Sequence, residues 1–302
     1  MRVKKSFKVI TNHYKRLLEM TDNHLFVGIT NEWILDNYYL IVEQKPNILE
    51  FLKDSRSVKY LTKNVDLYKI VEDILIDNNY RINESIIIRE LNKYQKENDV
   101  VFLYQELCLI PILIGIILID KISDVCALES NRLNEKKEID FLIDRMIEDL
   151  AIRRSISLSN YLSINEKTTS SFIVYFNEQL KEMGENSPVI FKELNEALTE
   201  NNLALRDIIY NEHVENAKTS IFINNAFYTV KNVGTIKSEK IFSSVSQIEM
   251  ALMKDKEYAK MDDITKNEYR NAVIENARKK RMADIDYVNS LLEKDKHIGF
   301  FL

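Results

Sequence analysis

At 302 residues and 35.6 kDa the chain is long enough to bury one large core or two modest ones. It holds only 5 Gly and 3 Pro, against roughly 7% and 5% in average proteins, too few to supply the turns of a β-rich fold. A formal net charge of −5 excludes a general attraction to nucleic-acid phosphate.

Taken from the N-terminus, "MRVKKSFKVI" is basic but is followed by no apolar stretch or small-residue cleavage site, so nothing marks secretion and the expected compartment is the cytoplasm. Apolar residues then recur at three- and four-residue spacing, as in Leu67, Ile70, Val71, Ile74 and Leu75, and strict alternation is nowhere sustained. The pattern predicts an all-α fold, a multi-helix bundle or array of about twelve helices near 5–20, 31–44, 47–61, 66–78, 84–97, 100–128, 135–152, 168–183, 188–200, 203–231, 239–254 and 266–294. Asn83 reads as a helix cap, Ser187-Pro188 as a helix start after a stop at Gly184 and Asn186, and Thr265 with Glu268 as a capping box.

The second predicted helix holds the only tryptophan, in "NEWILDNYYLIVEQ". Helical spacing puts Glu32, Asp36 and Glu43 on one stripe with Asn37 and Gln44 beside it, and Ile34, Tyr38 and Ile41 on another face. Acids and amides beside Trp33 suit a sugar, which stacks on an aromatic ring and hydrogen-bonds through its hydroxyls. The same arrangement describes a helix that covers a core and turns its other face to water.

Further along, "VVFLYQELCLIPILIGIILI" (residues 100–119) carries one charge, Glu106, and approaches the roughly 20 residues needed to span a bilayer. Pro111 and Gly115 interrupt it, and a helix buried in a large core is apolar all round too, so a central core helix is expected rather than a span. Cys108 and Cys126 would lie about 27 Å apart along one helix, too far for a disulfide, and read as reduced thiols. The polar segments 127–138 and 155–169 interrupt the pattern and either fits a subdomain junction; the division expected is two helical subdomains, 1–128 and 135–302.

Catalytic signatures are missing. The chain has no phosphate-cradling glycine motif, no nucleophile elbow and no H-E-x-x-H. His13, His24, His213 and His297 have no His or Cys neighbour at helical ligand spacing, so no metal or cofactor site is expected. Adjacent acids such as Asp262-Asp263 arise readily among 47 acidic residues and read as solvated helix surface.

Three ordered blocks nevertheless resemble one family. "NEWILDNYYLIVEQ" is similar to the stretch near the start of cyclic β-1,2-glucan synthases, with Glu32, Trp33, Leu35, Asp36, Asn37, Glu43 and Gln44 at matching positions. "YQELCLIPILIGIILIDKI" resembles a later helix of that family through Glu106, Leu107, Pro111 and Ile119, with Cys108 in place of a tryptophan. The segment 212–278 matches through Glu212, His213, Ala217, Asn225, Phe242, Ser244, Val245, Ser246, Glu249, Tyr258, Ala259, Met261, Asp262, Thr265, Tyr269 and Arg270, with Lys231 and Ser238 departing from it; "HIGFFL" resembles a motif the family continues past.

The resemblance implies a non-catalytic, helical N-terminal piece of a much larger inner-membrane enzyme that polymerises glucose from UDP-glucose. The piece would lie on the cytoplasmic face, be soluble as a fragment, and partner the remaining domains of the parent synthase and, by extension, β-1,2-glucan. The transferase signature is absent, so no catalytic residue is carried over. Docking or glucan binding is expected at Trp33, Asp36, Asn37, Glu43 and Gln44, or on a surface around Asn225, Tyr258 and Asp262. The alternative expectation is a free-standing helical carbohydrate-binding module.

Overall fold

The computed structural model describes residues 2–23, 25, 27–54, 65–153, 155–165, 167–234, 236, 238–294 and 296–302. The fold is all-α, with thirteen α-helices and no strand among the described residues. They are α1 (Val3–Asp22), α2 (Ile29–Phe51), α3 (Val65–Asp77), α4 (Glu84–Asn98), α5 (Tyr104–Arg153), α6 (Ser170–Gln179), α7 (Ser187–Glu200), α8 (Leu205–Val233), α9 (Ser238–Val245), α10 (Gln247–Leu252), α11 (Lys256–Ala259), α12 (Asp263–Lys280) and α13 (Asp284–Leu292).

The helices divide into two compact units. The first comprises 1–43 and 118–227, the second 44–117 and 228–302, and the division falls inside α2, α5 and α8. Each unit is therefore built from two separated stretches of chain, whereas the polar segments of the sequence suggested one division between residues 128 and 135.

In the first unit α1 buries Val3, Phe7, Ile10 and Leu17, the inward stripe of an amphipathic helix. A separate cluster is formed by Ile139, Ile143, Met146, Phe176, Leu180, Leu194 and Leu198. From α2, Ile34, Leu40 and Ile41 are buried, and Tyr38 stacks on Tyr14 at 3.8 Å while donating to Thr11 Oγ1 at 3.0 Å. In the second unit Leu107, Ile110, Leu113, Ile114 and Ile117 of α5 are buried, and Ile248, Leu252, Tyr258, Val273, Tyr287, Val288 and Leu291 form the C-terminal core. Residues 113–119 are all buried, so the apolar run is the core helix expected; no helix among the described residues is long and apolar enough to cross a membrane.

Several boundaries differ from the sequence expectation. α2 continues through Pro46, where a break separated the predicted helices 31–44 and 47–61; residues 55–61 of the latter lie outside the described residues. Proline removes a bond to the carbonyl four residues back, that of Val42, which is 50% exposed and open to water. Residues 100–103 are not helical, and α5 then runs unbroken through the polar segment 127–138, which holds neither Gly nor Pro and buries Glu129 and Leu133.

The predicted helix 239–254 is divided at Ser246, whose side chain accepts from Glu249 N and starts α10. The predicted helix 266–294 is divided after Lys280 by Arg281 in the left-handed conformation. The cap of α12 is Asp262 rather than Thr265: it accepts from Thr265 N and from Thr265 Oγ1, both at 2.9 Å. Asn83 caps α4 as expected, accepting from Ile86 N at 3.0 Å.

Candidate functional site

In the first unit, polar residues converge from four helices. On α5, Glu129, Arg132 and Lys136 stand at i, i+3 and i+7; on α8, Glu212, Asn216 and Ser220 stand at four-residue intervals. The start of α2 brings Thr30 and Asn31, and α6 brings Ser171 and Tyr175. Together with Val27, Gly28, Glu135, Glu178 and His213 these groups line a cavity of about 510 Å³, within the roughly 300–1,000 Å³ of small-molecule sites. Gly28 at its rim has φ +84, a left-handed conformation that side chains disfavour, immediately before α2 begins.

The cavity wall is held by one connected network. Arg132 Nη1 donates to Glu129 Oε1 at 2.8 Å and Nη2 to Glu212 Oε1 at 2.9 Å, so one guanidinium joins α5 to α8. Asn216 Nδ2 donates to the same Glu212 oxygen at 3.3 Å. Asn31 Nδ2 donates to Glu129 Oε2 at 3.1 Å and to the Val27 carbonyl at 2.8 Å.

These bonds orient the Asn31 amide, leaving its Oδ1 as an acceptor 2.8 Å from His13 Nε2. The imidazole must carry its proton on Nε2, and Nδ1 accepts from Ser130 Oγ at 2.7 Å. Burial lowers the affinity of His13 for a second proton, with Asn31 and Glu129 acting in the opposite sense.

At the rim, Tyr175 donates to Asp140 Oδ1 at 2.8 Å, and burial together with that acceptor raises its hydroxyl pKa to about 12, so it stays protonated. Lys136 Nζ lies 5.1 Å from the centre of the Tyr175 ring. Thr169 and Ser171 both donate to Glu135. Ser220 is paired with Thr30 at 2.8 Å, and no hydroxyl or thiol of the lining is set against a histidine as an activated nucleophile would require. The arrangement is suited to holding a polar molecule.

The residues singled out from the sequence fall elsewhere. Trp33 is 38% exposed, Asp36 and Glu43 are exposed, and Asn37 and Gln44 are half-buried along α2. Asn37 Nδ2 turns back to the Trp33 carbonyl at 2.9 Å. The stripe is thus present on one helix and none of its members lines the cavity; Asn225, half-buried on α8, does not line it either. Tyr258 cannot contribute to a docking surface, because it is fully buried and donates to Glu249 Oε2 at 2.7 Å. Asp262 is exposed and is spent on capping α12.

Around Tyr258 the second unit has a network of its own. Arg270 Nε lies 3.7 Å from Glu249 Oε2, and its guanidinium sits 4.8 Å from the centre of the Phe242 ring. Asp255 accepts from the Ile298 amide at 2.9 Å and lies 2.9 Å from His297 Nδ1, while His297 Nε2 is 3.0 Å from Tyr269 Oη. No group of three or more His, Cys, Asp or Glu among the described residues is placed to hold a metal ion.

The sequence reading missed Glu129, Arg132, Asn31 and Tyr175. The signal available was the i, i+3 pairing of Glu129 with Arg132 inside a segment read as a break. No protein-family model matches the chain, and no curated protein matches it.

Proposed function

We propose that the chain is a non-catalytic helical domain of a β-1,2-glucan synthase-like protein, supporting or regulating the making of glucan from UDP-glucose by a transferase portion outside these residues. It would act at the cytoplasmic face of the inner membrane, against the remaining domains of that parent. The observation that carries the reading is where the resembling residues lie. Ser246 and Asp262 are caps, Thr265 closes one of them, and Glu249, Tyr258 and Arg270 form a buried polar cluster. A pattern made of caps and interior partners is what a shared scaffold leaves in a sequence, and it supports kinship of fold without supplying a reaction centre.

The test has two arms. Incubated with labelled UDP-glucose, the purified chain is expected to release no UDP and form no glucan, and turnover would overturn the non-catalytic reading. Reading the frame downstream of Leu302 is expected to reveal membrane spans and a transferase, and a stop codon there would overturn the placement in a larger parent.

A second reading, a carbohydrate-binding module acting alone, is favoured by the polar cavity of the first unit. A titration with linear β-1,2-glucan that quenched Trp33 fluorescence to saturation would place the sugar on the α2 stripe. A silent Trp33 assigns that stripe to docking.

A further inference from the structure

We propose that the cavity of the first unit is a binding site for a neutral, polyhydroxylated saccharide, with Glu212 Oε2 accepting from a ligand hydroxyl. The Glu212 side chain is only 9% exposed. Its Oε1 takes both Arg132 and Asn216, and among the described residues nothing bonds to its Oε2. Glu212 lines the cavity, so the unpaired oxygen of a side chain nine-tenths removed from water is held ready for a donor brought by a ligand.

Charge selects among donors. Glu129, Glu135, Glu178 and Glu212 face Arg132 and Lys136, a formal excess of two negative charges that disfavours a phosphate or a nucleotide sugar. An organic cation only donates. The lining also offers donors, in the second N–H of the Asn216 amide and the Lys136 ammonium, that such a cation would leave unmatched, and Lys136 would repel it. A hydroxyl both donates and accepts, and so can use the whole lining. The saccharide class rests on these side chains; only the choice of a β-1,2-linked glucose unit as probe rests on the function proposed above.

Calorimetric titration of the full chain with sophorose, the β-1,2-linked glucose disaccharide, is expected to saturate. The NMR signals of the Asn31 and Asn216 side-chain amides should shift along the same isotherm. Glu212→Gln should weaken binding at least tenfold and Asn216→Ala severalfold.

Asn216 contributes one long hydrogen bond to the fold, so its variant keeps the test usable if Glu212→Gln unfolds. The inference is overturned if neither sophorose nor maltose saturates, if inorganic phosphate or spermidine binds more tightly, or if Asn216→Ala binds as the parent chain does. Saturation by maltose with none by sophorose would uphold the saccharide site and count against the glucan synthase reading.

Discussion

Glu212 in the first unit and Glu249 in the second are both buried carboxylates facing an arginine, yet their remaining partners differ. Glu249 meets the Tyr258 hydroxyl and Arg270 on one side, and Tyr258 is itself sealed in the core beside Val273 and Tyr287. Glu212 shares Arg132 with a second carboxylate, Glu129, and keeps one oxygen towards a cavity. Each carboxylate keeps one oxygen beside a cavity, but the cavity at Glu249 measures about 260 Å³ and that at Glu212 about 510 Å³, so only the latter falls within the roughly 300–1,000 Å³ of small-molecule sites. The residues that carry the family resemblance from 246 to 270 include Glu249, Tyr258 and Arg270 of the smaller site. Among the residues of the larger cavity, Glu212, His213 and Ala217 belong to the resemblance.

The sharpest way to break this comparison is to remove the shared cation of the first unit. Arg132→Ala strands Glu129 and Glu212 together in a largely buried place and should cost about 3–5 kcal/mol in urea unfolding followed by Trp33 fluorescence. In the second unit, Tyr258→Phe deletes one hydroxyl against a buried acceptor and should cost about 1–3 kcal/mol, with sophorose binding unaffected. Ser246→Ala removes the cap of α10, which accepts from Glu249 N at 3.2 Å, for about 1 kcal/mol, read as a lowered melting temperature. If Tyr258→Phe or Ser246→Ala weakened sugar binding as strongly as Asn216→Ala, the contrast between the units would fail.

The smallest effect is expected from acid, and it should separate the units by pH. The folded-state pKa of His13 lies below its ordinary 6.5 through burial, so the unfolded chain takes up that proton more readily. Its contribution to stability is complete above pH 6.5 and is lost as pH falls from 6.5 through the folded value. Burial pushes Asp255 upward, but the amides of Ile298, Tyr258 and Glu257 and the His297 imidazole outweigh it and hold the carboxyl at about 2, against an ordinary 3.8. That contribution is complete above pH 3.8 and is lost between 3.8 and about 2. Hydrogen exchange on stepwise acidification should therefore loosen the contacts of His13 in α1 and α2 before the Asp255 to Ile298 bonds, and the reverse order would refute the assignment.

Much of the architecture was legible in the chain. Scarce Gly and Pro, apolar residues at helical spacing and the cap at Asn83 predict the fold class and many of the helices, because turn chemistry and amphipathic period are local properties. The apolar run of α5 was legible as core for the same reason: a helix apolar all round has to be buried all round. The candidate site was not legible. Residues 127–138 read as a polar interruption, since a helix lining a polar cavity turns Glu129 and Arg132 inward where the period calls for leucine or isoleucine. Tyr258 likewise looked available as a surface aromatic, and only its pairing with Glu249, nine positions away across a helix start, explains why its hydroxyl can be buried.

By itself the sequence determined that this protein is helical, where many of its helices begin and which faces are apolar. Only the tertiary structure decided that α2, α5, α6 and α8 bring Asn31, Arg132, Tyr175 and Glu212 to one cavity, and that the α2 stripe stays apart from it. The reason is range: caps and periodicity act within a few residues, whereas Arg132 also joins a carboxylate 80 positions away, a pairing that no local pattern encodes.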